Sequence, residues 1–163
     1  MAIEINNIKF YRPTNKTEGI DDYGGDIDLA SEIISDQLQN IFDNVTDQER
    51  IEGKTEYRKL FVYNHNTGAG SSWLNVKGWI FNFTLSPDDE ISVVLAVMSP
   101  PDTLYSAKTY TYKQPNAIGH ADVLLLGTLA TNGKAAIWIK RIVNANSQKY
   151  WANEFKLAFK STV

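Results

Sequence analysis

Cysteine is absent from the chain. That excludes disulfide staples, thiolate zinc sites, iron–sulfur clusters and cysteine nucleophiles together. Histidine is nearly absent, with only His65 and His120, both in expected loops. A zinc site would need two further ligands from scattered carboxylates, and a hydrolytic triad would need the Gly-x-Ser-x-Gly elbow that the chain lacks. Basic excess is missing too: 16 Lys and Arg stand against 19 Asp and Glu, a net charge of −3. The basic residues fall in scattered pairs such as Arg58-Lys59 and Lys140-Arg141, which argues against direct nucleic-acid binding. The strongest apolar run, residues 91–98, is far short of the roughly 20 residues that cross a bilayer, so no membrane is expected as partner. MAIEINNIKF has no secretory features, which predicts synthesis and folding in a cytosol.

What is present is a chain of 163 residues, 43% hydrophobic and 12% aromatic, long enough to bury the core of one domain. Ile3, Ile5, Ile8 and Phe10 alternate with a change of phase at Asn6-Asn7, which predicts an edge strand with a bulge, stopped by Pro13. Residues 1–13 are thus expected as an N-terminal arm, and 14–163 as a single domain. Leu29, Ile33, Ile34, Leu38, Ile41 and Phe42 then fall at helical spacing behind Asp28, predicting an amphipathic helix over 29–42. Thr46-Asp47-Gln48-Glu49 matches a capping box, predicting a further short helical turn closed by Gly53.

From Glu56 onward the period becomes two. Tyr57, Phe61 and Tyr63 share one face and Leu60 and Val62 the other; Trp79, Phe81 and Phe83 alternate with Val76 and Ile80. Residues 91–98 read as a strand buried on both faces, and residues 103–118 as an extended excursion. Asn132-Gly133 between two apolar runs predicts a hairpin, and Phe155, Leu157 and Phe159 alternate in a last strand. Seven or eight short strands without alternating helices predict a mainly β fold: an antiparallel β-sandwich, Ig-like or jelly-roll-like, with one helix near the front.

Few residues carry chemistry. Gly68-Ala69-Gly70-Ser71-Ser72 lacks the lysine and the following helix of a phosphate loop, so it reads as a bend between strands. In the acidic loop, Asp22, Asp26 and Asp28 are candidate calcium ligands, yet the EF-hand order and its closing glutamate are missing. No metal, cofactor or catalytic residue is therefore expected. Trp79 and Trp138 fit strand alternation and are expected in the core. Tyr150 and Trp151, in a loop-like stretch, are expected as exposed anchors for a partner.

Two stretches are similar to a known group. Gly24-Gly25, then Ile41-Phe42-Asp43, Gly53 and Glu56-Tyr57-Arg58 entering a strand that ends at Asn64 make up the first. Gly127 and Leu129, then Ala136-Ile137-Trp138 with two basic residues, make up the second. Together they resemble small virion structural proteins of tailed bacteriophages. The resemblance implies a capsid-decorating (cement) or tail-associated β-sandwich, bound to the major capsid protein or other virion proteins, multimeric (a trimer for example) and without an active site. It implies a virion location after synthesis in the host cytoplasm. The expected contact residues are Ile3, Ile5 and Phe10 of the arm, Tyr23 and Asp26 of the acidic loop, and Tyr150 and Trp151. A tail- or neck-associated protein, a carbohydrate-binding adhesion module using exposed aromatics, and a small carboxylate hydrolase are the rival expectations.

Overall fold

Apolar alternation over residues 54–64 gives the two faces of one strand different neighbours. In the computed structural model, which describes residues 3–17, 24–37, 39–81, 89–96, 124–148 and 155–161, this segment is strand β3, Lys54–Asn64. It runs antiparallel to β7, Lys134–Val143, in unbroken register from Lys54↔Val143 to Tyr63↔Lys134. Leu60 and Val62 join Ile137 and Ile139 in one buried cluster. On the opposite face, Phe61 joins Ala136 and Trp138, with Tyr57 and Tyr63 packed beside them.

The described strands make the protein mainly β, with two antiparallel sheets. The larger has the order β2-β1-β3-β7-β5, adding β1 (Ile8–Asn15), β2 (Gly24–Glu32) and β5 (Asp89–Ala96). The smaller has the order β6-β4-β8, from Leu124–Leu129, Trp73–Phe81 and Lys156–Ser161. Trp73, Val76, Ile80, Leu124 and Leu129 of the small sheet share a single cluster with Leu60, Val62, Ile137 and Ile139 of the large one. Phe10 of β1 meets Phe159 of β8 across that cluster, with ring centroids 5.2 Å apart.

One buried asparagine ties together two of the connections that cross between sheets, from β3 to β4 and from β6 to β7. Asn64 Nδ2 donates towards the carbonyls of Ser71 at 2.8 Å, Leu129 at 2.9 Å and Ala130 at 3.1 Å. Its Oδ1 accepts from the Asn66 backbone at 3.0 Å and from Asn66 Nδ2 at 2.9 Å. Its backbone N–H donates to Gly133 O at 3.0 Å, and its carbonyl accepts from Asn132 N at 2.8 Å. The bend at Gly68–Gly70 thus leads from β3 into β4, with both glycines at positive φ (97° and 78°). The expected bend is where the chain changes sheets.

Four expectations change. The helix over 29–42 is replaced by strand β2 up to Glu32, followed by turns. Ile33 and Phe42 reach the shared core, while Leu29 and Ile34 are 53% and 56% exposed, so the supposed apolar stripe is split. Left-handed residues Asp36 (φ 61°) and Gln39 (φ 57°) interrupt any helical run. The backbone is instead satisfied across the chain: Ile33 N donates to Phe10 O at 2.7 Å, and the Arg12 guanidinium holds Asn40 O at 2.6 Å. Nonlocal pairing with β1 overrides the local period.

Second, Asn132-Gly133 does form a turn, with Asn132 at φ 58°, but not a hairpin. Strand β6 pairs with β4 and β7 with β3, so this turn passes between sheets. Third, the N-terminal strand is no edge: β1 pairs with β2 on one side and β3 on the other. Fourth, Pro13 does not stop it. Pro13 lies within β1 at a shift of register, beyond the last pair with β3 at Tyr11↔Phe61, where a missing N–H costs no ladder bond. The capping box is present as read: the Thr46 side chain accepts from Glu49 N, the Glu49 side chain accepts from Thr46 N, and helix α1 (Asp47–Glu52) ends at Gly53, φ 79°.

Candidate interaction surfaces

The expected contact residues scatter. Ile3 is half-buried against the shared core, and Phe10 is packed in it. Ile5 is 66% exposed on a 3-10 turn, Ile5–Asn7. That turn is fastened: Glu4 N donates to Asn66 Oδ1 at 2.9 Å and His65 N to Asn7 O at 2.8 Å. Asp22, Tyr23, Tyr150 and Trp151 lie outside the described residues.

Asp26 and Asp28 each belong to a lysine. Asp26 pairs with Lys134 and Asp28 with Lys16, the latter at 2.6 Å. The Lys134 ammonium, with the Ile27 N–H, holds Asp26 below the usual carboxylate range. Asp28 is lowered to about 2 by hydrogen bonds from Lys16, Ser31 and the Ala30 N–H. Those bonds are local: Ser31 Oγ lies 2.8 Å away and Ala30 N 3.0 Å. Asp28 therefore organises a bulge, because β1 advances from Tyr11 to Pro13 while β2 advances from Glu32 to Ile27. Among the described residues no group of three or more His, Asp or Glu is placed to hold a metal ion.

The densest polar cluster surrounds Glu56. Arg141 Nε donates to Glu56 Oε2 at 2.7 Å, with Nη2 on the same oxygen. Lys54 Nζ lies 3.1 Å from Glu56 Oε1, and Arg58 Nη2 lies 3.4 Å from it. Asp43 joins through its carbonyl, which accepts from Arg141 Nη1 at 2.9 Å. Its carboxylate lies 3.5 Å from Arg141 and 3.8 Å from Arg58. Both guanidiniums lie over the Phe42 ring, at 5.1 Å for Arg58 and 4.6 Å for Arg141. Burial pushes Glu49 up and Lys54 down, but their mutual hydrogen bond, with Thr46 and Glu56 assisting, outweighs it. Glu49 is lowered and Lys54 raised. This is a clamp that fastens the segment after β2 to the large sheet. Its carboxylates are matched by cations, so none stands ready as a general acid or base.

A second cluster sits at the end of β3. Tyr11 Oη and His65 Nε2 are 2.7 Å apart, and the Tyr63 ring lies 4.4 Å from the His65 ring. Burial raises the Tyr11 phenol, with the Glu32 charge adding to the effect. No serine, threonine or carboxylate hydrogen bond to His65 is formed among the described residues, so no triad is assembled here.

The aromatic expectations divide. Trp138 is fully buried, as expected, though against the outer face of the large sheet. Trp79 is half-buried on the outward face of the small sheet, opposite Ala158. Beside it stand Lys77, Lys156 and Lys160, with Leu125, the partner of Lys77 on β6, 64% exposed. Sequence reading missed this face because the cross-strand register that gathers it joins three distant segments. No helix among the described residues is long and apolar enough to cross a membrane. No protein-family model, curated protein or solved structure matches the chain.

Proposed function

We propose that this chain is a non-enzymatic virion structural protein of a tailed bacteriophage, an Ig-like or jelly-roll-like β-sandwich that decorates the capsid by binding the major capsid protein and self-associates on the particle. The observation that carries the reading is spatial. Residues that carry the resemblance lie far apart in sequence yet meet in one place. Phe42 and Asp43 from one stretch, Glu56 and Arg58 from the start of β3, and Arg141 from the other stretch form the clamp. Gly53 closes α1 beside it, where an added Cβ would come within 3.1 Å of Ala145 N. A signature consumed by structural ion pairs suits a scaffold protein better than a catalyst.

The N-terminal arm is not the docking device in this reading, because β1 is already paired on both sides. Deleting residues 1–12 would remove a strand interior to the large sheet and unfold the domain, rather than spare it. The direct test is mass spectrometry of purified particles from the phage that carries the gene. The expected result is this protein at a fixed ratio to the major capsid protein, beside neighbouring genes for portal, capsid or tail-tube proteins. Its absence from particles, or turnover of a substrate by the purified chain, overturns the proposal.

A further inference from the structure

The turn between β6 and β7 obliges the chain to carry a chemically fragile pair. Asn132 takes φ 58°, which asparagine tolerates better than most residues with a side chain. Gly133 follows because an added Cβ would lie 2.8 Å from both the amide nitrogen and the carbonyl oxygen of Ala130, backbone that cannot swing aside. Asn-Gly occurs nowhere else in the sequence. In an open chain it is the asparagine pair that deamidates most readily, since glycine has no side chain to hinder attack of its amide nitrogen on the asparagine Cγ.

The folded turn withholds that nitrogen. Gly133 N–H donates to Ala130 O at 2.7 Å, so the proton that the nitrogen must lose before it attacks is held in a hydrogen bond. The peptides on either side are fastened to one residue: Asn132 N donates to Asn64 O at 2.8 Å, and Asn64 N donates to Gly133 O at 3.0 Å. Asn64 is itself fully buried, and its side chain holds the Leu129 and Ala130 carbonyls at 2.9 Å and 3.1 Å. The Asn132 residue is exposed, so water reaches it; what the fold restrains is the nucleophile.

We propose that Asn132 is a latent deamidation site, silent while the Asn64 corner is closed and converted once it opens. In the opened turn Gly133 N attacks Asn132 Cγ. The N–Cγ bond forms, the Cγ–Nδ2 bond breaks, and ammonia leaves with the proton given up by Gly133. Water then opens the cyclic imide at either carbonyl, giving aspartate or isoaspartate; nothing is oxidised or reduced. Isoaspartate routes the main chain through Cγ and inserts one carbon between Asn132 Cα and Gly133 N. The three backbone bonds of 2.7, 2.8 and 3.0 Å cannot then be made together, and Lys134 loses its place opposite Tyr63 at the start of β7. Opening thus becomes irreversible at this corner, and the chain keeps a covalent record of it. The inference does not rest on the virion reading.

The test incubates the whole chain at mildly alkaline pH and follows conversion at residue 132 by peptide mapping. In concentrated guanidinium chloride, conversion is expected about a hundredfold or more faster than in buffer, because folded chains open rarely. Below the unfolding transition, added denaturant is expected to raise conversion and the exchange of the Gly133 amide hydrogen in parallel, a measurement that needs no variant. Asn64→Leu, while folded by circular dichroism, is expected to convert about tenfold or more faster than wild type. Purified isoaspartate chains are expected to lack protection of the Asn64 and Gly133 amides, whereas Asn132→Asp, which adds the charge without the extra carbon, keeps both protected. Conversion in buffer as fast as in denaturant, conversion indifferent to denaturant below the transition, a folded Asn64→Leu chain that converts no faster, or protected corner amides in the isoaspartate form would each overturn the proposal.

Discussion

Asn64 has neighbours that no other residue type satisfies. Two amide hydrogens are shared among three carbonyls while its oxygen takes two donors, and the asparagine itself has no access to water. Asn64→Leu keeps the approximate size and strands those carbonyls, which is expected to cost about 2–4 kcal/mol in urea unfolding. Asn64→Asp makes a sharper test. Its carboxylate would face three carbonyl oxygens, so its pKa would rise and its penalty would grow as pH rises from about 4 to neutrality. A variant with pH-independent loss would mean that the amide donors matter little. Asp28 runs the other way. Its folded pKa of about 2 lies below the ordinary 3.8, so its contribution is fully present above 3.8 and disappears as pH falls through about 2. The unfolding midpoints of wild type and Lys16→Met are therefore expected to differ at neutral pH and to converge on acidification. Curves that stay parallel would show that Lys16 does nothing for Asp28.

At the scale of the element, Gly78 shows how tightly the small sheet is built. An added Cβ would lie 2.6 Å and 2.8 Å from two ring atoms of Phe159, its direct partner across β4 and β8. That ring is itself held against Phe10, so it cannot simply swing away. Gly78→Ala is expected to cost about 1–3 kcal/mol by overpacking, and the cost should shrink when Phe159 is first shortened to Leu. A double-mutant cycle giving no coupling would place the strain elsewhere. The elements also show what a sequence displays and what it conceals. Helix α1 was legible because its signals are local: Thr46, Glu49 and Gly53 lie within one turn and its ends. Strand β3 was legible because its alternation sorts Leu60 and Val62 from Phe61 and Tyr63 without reference to other strands. Residues 29–42 were not, since six apolar side chains at helical spacing carry no mark of the pairing with β1 that splits them. Asn132-Gly133 announced a turn correctly but not which strands it separates, because that depends on Asn64, far away in sequence. The clamp was half-legible. Its residues stand in two separate stretches of the sequence, and only the register of β3 on β7 sets Glu56 opposite Arg141.

Across the whole molecule, the two sheets have little means of folding apart. Among the described residues the small sheet has three strands, and its inward residues lie in the same cluster as those of the large sheet. An isolated three-stranded sheet would leave Trp73, Val76, Ile80, Leu124 and Leu129 facing water, each costing roughly 1.5–3 kcal/mol of lost burial for the larger side chains. Two of the crossings between sheets, from β3 to β4 and from β6 to β7, are pinned to the end of β3 by one buried side chain, so opening the small sheet also breaks bonds that hold the large one. The expectation is a single unfolding transition. Native-state amide exchange checks it: Val62 in β3 and Ile80 in β4 are expected to exchange with the same opening free energy and the same dependence on denaturant. If Ile80 exchanged through an opening that leaves Val62 protected, the small sheet would be a separate cooperative unit. The Asn64 corner would then be a hinge rather than a fastening, and the stability lost in Asn64→Leu would appear only in the exchange of β4, β6 and β8.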